Sequence, residues 1–220
     1  MNPEYLDHFS ALARKMGVTL TDFQLQRFGQ FSTLLSRWNA AYNLTRIEPG
    51  HDTVTAHLLD SLSANPYLFG TRVLDVGTGA GFPGIPLAII RPDCHFTLMD
   101  SNRKKTRFVL QAQIELNLRN VDVVSARIEA WQPPALYDTV ITRAVSEMKT
   151  TLAHAQHVLQ PAGRFVFMKG QRPAMELQSL PPGYNVVHLD AITVPDLDAA
   201  RHIVVVCRDD DARNATEVAT

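Results

Sequence analysis

Residues 73–86 read VLDVGTGAGFPGIP. Val73 and Leu74 suit the end of a buried strand, and Asp75 closes its apolar run. Gly77, Gly79 and Gly81 then alternate through a turn. Pro83, with its fixed φ and missing N–H, suits the first position of a helix. The stretch therefore predicts a strand, a glycine loop and a helix.

Three glycines on alternate positions strip the side chains from one run of backbone. That permits positive φ and lets a flat ligand approach the main chain closely. The order G-x-G-x-G-x-P-G departs from the dinucleotide fingerprint G-x-G-x-x-G, whose pyrophosphate rests on a helix N-terminus. Asp75 places a carboxylate beside the loop. It would repel a pyrophosphate and attract an ammonium or a polar water network. A nucleoside carrying an amino-acid arm meets both conditions, so S-adenosylmethionine is the expected ligand. The plainer alternative is a tight turn that only joins strand to helix. A nicotinamide dehydrogenase ranks last, because the third glycine is misplaced for a pyrophosphate.

The surrounding 220 residues are 45% hydrophobic and 20% charged, which suits a soluble globular chain with one core and an appended piece. No apolar run approaches the roughly 20 residues a membrane helix needs. Near the N-terminus stand Glu4, Asp7 and His8 without an apolar segment, so no secretory leader is expected. Cys94 and Cys207 both fall in strand-like apolar stretches and are expected as buried thiols in a reducing compartment, the cytoplasm. The eight histidines show no metal-ligand spacing, and no metal is expected.

Net charge is −1, but it is unevenly spread. Ser101 to Arg172 carries eleven basic and five acidic residues, a balance of +6 that leaves −7 for the rest. A local basic surface on a near-neutral protein suits a selective RNA enzyme better than a general coating protein. Scattered solvated charge is the alternative.

Residues 1–70 read as a helical extension packed on the core. Thr21 or Asp22 can cap a helix with Phe28, Phe31, Leu35 and Trp38 on one face. NAAYNLT, residues 39–45, breaks that pattern, and a further helix is expected over about residues 52–63. From Arg72 strands and helices alternate: strands 72–76, 95–100, 121–124, 138–142 and 163–168, with helices 83–90, 103–117 and 148–158. Such alternation predicts right-handed βαβ units and a parallel sheet. Residues 184–194 and 202–207 read as two strands with no full helix between them, which predicts an antiparallel strand inserted at the sheet's edge. The tail, residues 209–220, is polar and expected to be disordered. Residues 71–208 are left as the catalytic domain.

In a doubly wound sheet the ligand lies over the carboxyl ends of the strands. Asp100 ends the second strand, where an acidic side chain accepts ribose hydroxyls; capping the next helix is its alternative role. Ile128 and Glu129 follow the third strand, with backbone N–H groups in reach of an adenine edge. Arg143 follows the fourth, where groups touching a methyl acceptor stand, and can bind phosphate or stack on a base. Lys169 and Arg172 close the fifth strand on the same edge, and Arg103, Lys104 and Lys105 open the helix after Asp100. In HLLDSL, His57 and Asp60 share a helix face. A polar helix face packed over the loop is the first reading of His57, and a general base the second.

Taken in order, WNAAYNLT, HLLDSL, VLDVGTGAGFPGIPLA, LMDSNRKKTRF, ARIE, TRA, MKG and RHIVVV resemble the GidB/RsmG family over nearly all of residues 38–208. These are bacterial methyltransferases that modify N7 of a guanine, at position 527, in 16S ribosomal RNA. The resemblance implies a Rossmann-like class I S-adenosylmethionine-dependent methyltransferase. Its α/β sheet would have seven mostly parallel strands with one antiparallel edge strand, plus the N-terminal helical extension. It implies that Gly77 and Phe82 meet S-adenosylmethionine, that Ile128 and Glu129 meet adenine through their backbone, and that Arg143 stands in the site. Thr142 replaces the serine common before Arg-Ala, and keeps the hydroxyl. The full expectation is a cofactor site of Asp75, Gly77, Gly79, Gly81, Phe82, Asp100, Ile128, Glu129 and Arg143, with Arg143 also catalytic. RNA is expected at Arg103, Lys104, Lys105, Lys169 and Arg172. S-adenosylhomocysteine is the implied product, 16S ribosomal RNA or the small ribosomal subunit the implied partner, and a monomer without membrane attachment the implied state. The rivals are a methyltransferase for another RNA, a protein or a small molecule, and a non-catalytic RNA-binding assembly factor.

Overall fold

The computed structural model describes residues 3–42, 44, 51–143 and 147–209. The expected disordered tail therefore lies, after Asp209, outside the described residues.

Three helices open the chain: α1 (Pro3–Lys15), α2 (Asp22–Tyr42) and α3 (His51–Leu62). Thr21 is the cap of α2. Gln24 N donates to Thr21 Oγ1 at 3.3 Å and Thr21 N donates to Gln24 Oε1 at 2.9 Å, a reciprocal capping box. The expected break at Asn39 does not occur, because α2 runs on to Tyr42. Its last turn carries Trp38 and Tyr42, one turn apart, with ring centroids at 5.2 Å.

Seven strands follow: β1 (Arg72–Val76), β2 (His95–Met99), β3 (Val121–Val124), β4 (Tyr137–Arg143), β5 (Leu159–Lys169), β6 (Tyr184–Ile192) and β7 (Arg201–Arg208). They form one sheet in the order β3-β2-β1-β4-β5-β7-β6. β1 to β5 pair in parallel; β7 runs antiparallel to both β5 and β6. The antiparallel strand is thus inserted one place in from the edge. β5 also starts earlier than expected. It passes through the turn signal Pro161-Ala162-Gly163 as an irregularity, its register against β4 jumping from Tyr137↔Leu159 to Thr139↔Arg164.

Helices α4 (Gly84–Ile90) and α5 (Arg103–Glu115) cover one face; α6 (Met148–Ala155) covers the other, and the five-residue α7 (Ala174–Gln178) follows β5. The N-terminal helices share the first face's core. Phe9, Phe28, Phe31 and Leu58 lie in one cluster with Val73, Ile85 and Phe108. Phe31 packs at 5.4 Å from Phe82 and 6.1 Å from Phe108, joining α2 to the glycine loop and α5. Burying such a ring contributes about 2–3 kcal/mol. Asp138 Oδ2 accepts from the backbone N–H of Thr71 and Arg72, both at 2.9 Å, tying the extension's exit to β4. The extension is thereby fixed on the side of the sheet where the loop lies.

Candidate cofactor and acceptor site

β1 delivers the loop, and Asp75 organises it from inside. The Asp75 side chain is fully buried. Its Oδ2 accepts from Thr78 Oγ1 at 2.6 Å and from Gly84 N at 2.9 Å, so one oxygen pins both ends of the loop. Burial pushes its carboxyl up to about 7, against the opposing pull of those two hydrogen bonds. Oδ1 has no partner in the structure. Asp75, expected beside the loop to attract an ammonium or a polar water network, also supports the loop through Oδ2.

Gly77, Gly79 and Gly81 hold φ of +71°, +62° and +84°, the left-handed region that disfavours a side chain. The loop's main chain is tied to its neighbours. Thr78 N donates to Met99 O at 2.9 Å and Gly79 N to Asp100 Oδ2 at 3.0 Å. Gly84, which ends the G-x-G-x-G-x-P-G pattern, is tightly enclosed. A Cβ there would lie 2.1 Å from Leu98 and 2.7 Å from Asp75 Oδ2. Pro83 caps α4 instead of occupying its first turn, its carbonyl accepting from Leu87 N at 3.2 Å.

Asp100 follows β2. Its Oδ1 accepts from Asn102 N at 2.8 Å, and Lys105 Nζ stands 3.7 Å from Oδ2. It does not cap α5. Asn102 does, accepting from Lys104 N at 3.0 Å. A carboxylate has about four acceptor sites, and the two backbone N–H groups take two. Ribose hydroxyls fit the remainder. Ile128 and Glu129 form a single turn after β3, whose last residue, Val124, accepts from Asp100 N at 3.2 Å. The donor set fits a nucleoside on three counts. The open backbone at Gly79 has only Gly77 O, at 3.9 Å, within reach of an added Cβ; Asp100 keeps acceptor capacity; and Asp75 Oδ1 is a buried oxygen without a partner.

Phe82 is a core side chain rather than an exposed ring, so its contact with a ligand is left to its main chain. Above it sits Arg143, with its guanidinium 4.9 Å from the ring centroid. Arg143 Nη1 donates to Asp60 Oδ2 at 3.0 Å and stands 3.4 Å from His57 Nδ1. Burial pushes the Arg143 guanidinium down, and the Asp60 carboxylate pulls it back up. Burial, then the Arg143 charge, hold His57 down at about 4. A neutral imidazole therefore faces Arg143 at ordinary pH. Asp60 is the residue whose role sequence reading left open, and helix α3 brings it here.

The expected RNA-binding residues separate. Arg103 is exposed at the start of α5, whereas Lys104 donates to Tyr42 O and Lys105 approaches Asp100. Lys169, beside Arg143 at the end of the adjoining strand, is held by Glu176 Oε2 at 2.8 Å. That same oxygen accepts from Met148 N at 2.6 Å, so Glu176 joins β5, α7 and the start of α6. Lys169 is thus already neutralised in this structure. Arg172 is exposed. Among the described residues no group of three His, Cys, Asp or Glu side chains is arranged to hold a metal ion. No described helix is long and apolar enough to cross a membrane.

A sequence model of the GidB family, described as rRNA small subunit methyltransferase G, matches residues 24–204. A protein named ribosomal RNA small subunit methyltransferase G from Nitrosococcus oceani is 47% identical over 189 residues, covering 86% of this chain and 88% of that one. One of the same name from Edwardsiella ictaluri is 45% identical over 201 residues, covering 90% and 97%. Among solved structures, a magnesium protoporphyrin IX methyltransferase from Synechocystis with bound SAM superposes with a TM-score of 0.58 at 18% identity, over 87% of this chain and 99% of that one. A methyltransferase from Thermoplasma acidophilum gives 0.53 at 16% identity, over 63% and 68%. At those identities the likeness shows the fold, a class I methyltransferase sheet.

Proposed function

The chain belongs to the small-subunit ribosomal RNA methyltransferase G family, and from that premise we propose that it transfers a methyl group from S-adenosylmethionine to N7 of one guanine, at position 527, of 16S ribosomal RNA. The observation that carries the reading is the joined arrangement of loop and arginine. The glycine backbone and Asp100 make a nucleoside cradle, and Arg143 stands at the end of the next strand but outside the loop's own hydrogen bonds. When bound, S-adenosylmethionine supplies an electrophilic methyl group on its sulfonium and leaves as S-adenosylhomocysteine. Gly77, Gly79, Gly81 and Phe82 would offer main chain to it, Asp100 its carboxylate, and Ile128 and Glu129 their backbone to the adenine. Asp75 would hold the loop in shape.

Guanine N7 has a free lone pair and needs no general base. The protein's task is alignment and exclusion of water. His57, neutral and turned to Arg143, fits that requirement: it accepts instead of abstracting. N7 methylation leaves a positive charge on the base, so a cation aimed at N7 would oppose the reaction. Arg143 therefore holds a phosphate or a base face. The guanine is a splayed loop base, since a stacked duplex would shield it. Residues 1–70 act as an extension that roofs this site and folds with residues 71–208.

The test is methyl transfer from labelled S-adenosylmethionine to small ribosomal subunits from a strain lacking this gene, beside naked RNA and a metabolite panel. Label confined to ribosomal RNA is the expected result. Label on a metabolite, or tight donor binding with no transfer, contradicts it. Arg143→Ala separates the roles: lost RNA engagement with donor binding kept is expected, and the reverse overturns the assignment.

A further inference from the structure

Arg143 has a counterpart that the glycine loop does not predict. Arg201 is the first residue of β7. Because β7 runs antiparallel, its first residue falls on the edge where the parallel strands end. Arg201 Nε donates to Asp60 Oδ1 at 3.0 Å, while Arg143 Nη1 takes Asp60 Oδ2 at the same distance. One carboxylate holds two guanidinium groups, one on each oxygen. The Asp60 side chain is 5% exposed, Arg143 17% and Arg201 24%. The acid is enclosed and both cations keep a face to solvent.

This is an expensive arrangement for stability alone. A buried carboxylate loses its hydration, and two like charges are held side by side. Asp60 alone cannot balance both guanidinium groups, the neutral His57 adds no charge, and the further carboxyl acting on Arg143 is the buried Asp75. Each guanidinium has five N–H groups in a rigid fork that matches phosphate. Arg201 commits Nε to Asp60 and Nη1 to Ala200 O, at 2.8 Å. Its outer Nη2 is not part of either bond. Arg201 also stands farther from the glycine loop than Arg143, whose strand β4 adjoins β1. β7 is three strands from β1, and strands are about 4.8 Å apart, so the sheet sets it roughly 14 Å from the loop strand.

We propose that Arg143 and Arg201 together clamp one backbone phosphate of the RNA, with Asp60 as the positioning residue that fixes their spacing. The clamp rests on the ribosomal RNA reading above. Phosphate contacts set register and orientation without reading sequence. Here the clamp seats the strand so that a splayed base reaches the cradle. The pairing also explains why α3, from the N-terminal extension, belongs to the site: it carries the shared acid.

The experiment uses the full chain and unmodified small ribosomal subunits. Arg201→Ala is expected to raise KM for the subunit tenfold or more while the Kd for S-adenosylmethionine, read by calorimetry, stays within twofold. The salt dependence of subunit binding should lose about 0.7–0.9 of slope, the amount for one phosphate contact. Arg201→Lys should restore the slope but only part of the KM, since it returns the charge without the fork. Asp60→Asn removes no cation, yet should shift KM in the same direction. An unchanged KM and slope overturns the clamp. So does a donor Kd that weakens in step with KM, which would assign the pair to the donor. If Asp60→Asn does not fold, the two Arg201 variants decide alone. If the wild type neither labels nor binds the subunit, the substrate reading falls and the clamp with it; if it labels and Arg201→Ala behaves like wild type, the clamp alone falls.

Discussion

The two halves of the site are held by different means. Around the glycine loop most bonds run to nearby backbone: Asp75 Oδ2 takes Gly84 N beside the Thr78 hydroxyl, Asp100 takes Gly79 N and Asn102 N, and Thr78 N meets Met99 O. Around Arg143, side chains hold side chains. Asp60, Arg143 and Arg201 come from α3, β4 and β7, separated by 83 and 141 residues in the two bonds. The loop is shaped by main-chain geometry; the cluster is a charge balance that exists only when three distant elements pack. The first suits an invariant small donor, the second a large polyanion that must arrive and leave.

Changes in the two halves should therefore have different signatures. The largest effect is expected for Asp60→Ala. It leaves two partly buried guanidinium groups without their acid, and should cost about 3–5 kcal/mol in a denaturant titration. Donor binding should survive in whatever remains folded. Gly84→Ala is next. Its Cβ would overlap Leu98 and crowd Asp75, and overpacking of this kind costs about 1–3 kcal/mol. Here donor affinity should collapse beyond the loss of stability, because Asp75 is displaced from the loop. Equal donor loss in both variants would erase the distinction.

Acid titration sharpens it further, since the halves carry opposite signs. Asp75 titrates at about 7 when folded, above its ordinary 3.8. The folded state binds more protons between those values, so this contribution falls as pH rises from about 3.8 to about 7 and is level above. His57 titrates at about 4, below its ordinary 6.5. The unfolded state then binds more protons, so its contribution grows as pH rises from about 4 to about 6.5. Melting temperature against pH should rise more steeply than wild type over that window in Asp75→Asn, and less steeply in His57→Gln. The smallest effect belongs to Glu176→Gln. Its pair with Lys169 is partly exposed, so about 1 kcal/mol or less is expected. Removing the Glu176 charge should at the same time tighten RNA binding measurably at low salt.

That division also decides what the sequence could disclose. The positions of β1, the loop and Asp100 were legible because they lie close together in the chain and follow strand and turn rules. The alternation of strands and helices was legible for the same reason. Asp100 read as a possible cap of α5, yet Asn102 caps it, because only geometry shows which oxygen meets Lys104 N. The helix break expected at Asn39 and the turn expected at Pro161 were local signals outweighed by tertiary packing. Arg201 stood in the quoted RHIVVV stretch, but its partner is 141 residues away, and no spacing rule connects them. Lys169 read as an RNA-binding residue, and its bond to Glu176 was not legible because Glu176 reaches it only after the chain turns from β5 into α7. Both cysteines are buried free thiols, as their apolar surroundings indicated.

Transfer to guanine N7 in the small-subunit RNA leaves a base that N7-specific chemistry can cleave. Subunits from a strain lacking this gene would be incubated with the protein and S-adenosylmethionine, and their RNA then cleaved by N7-methylguanine-specific strand scission. One new cut, at guanine 527, and none with Arg143→Ala, is the expected result. Methyl incorporation without any N7 scission, or a protein that binds the donor tightly and modifies no RNA, would contradict the account.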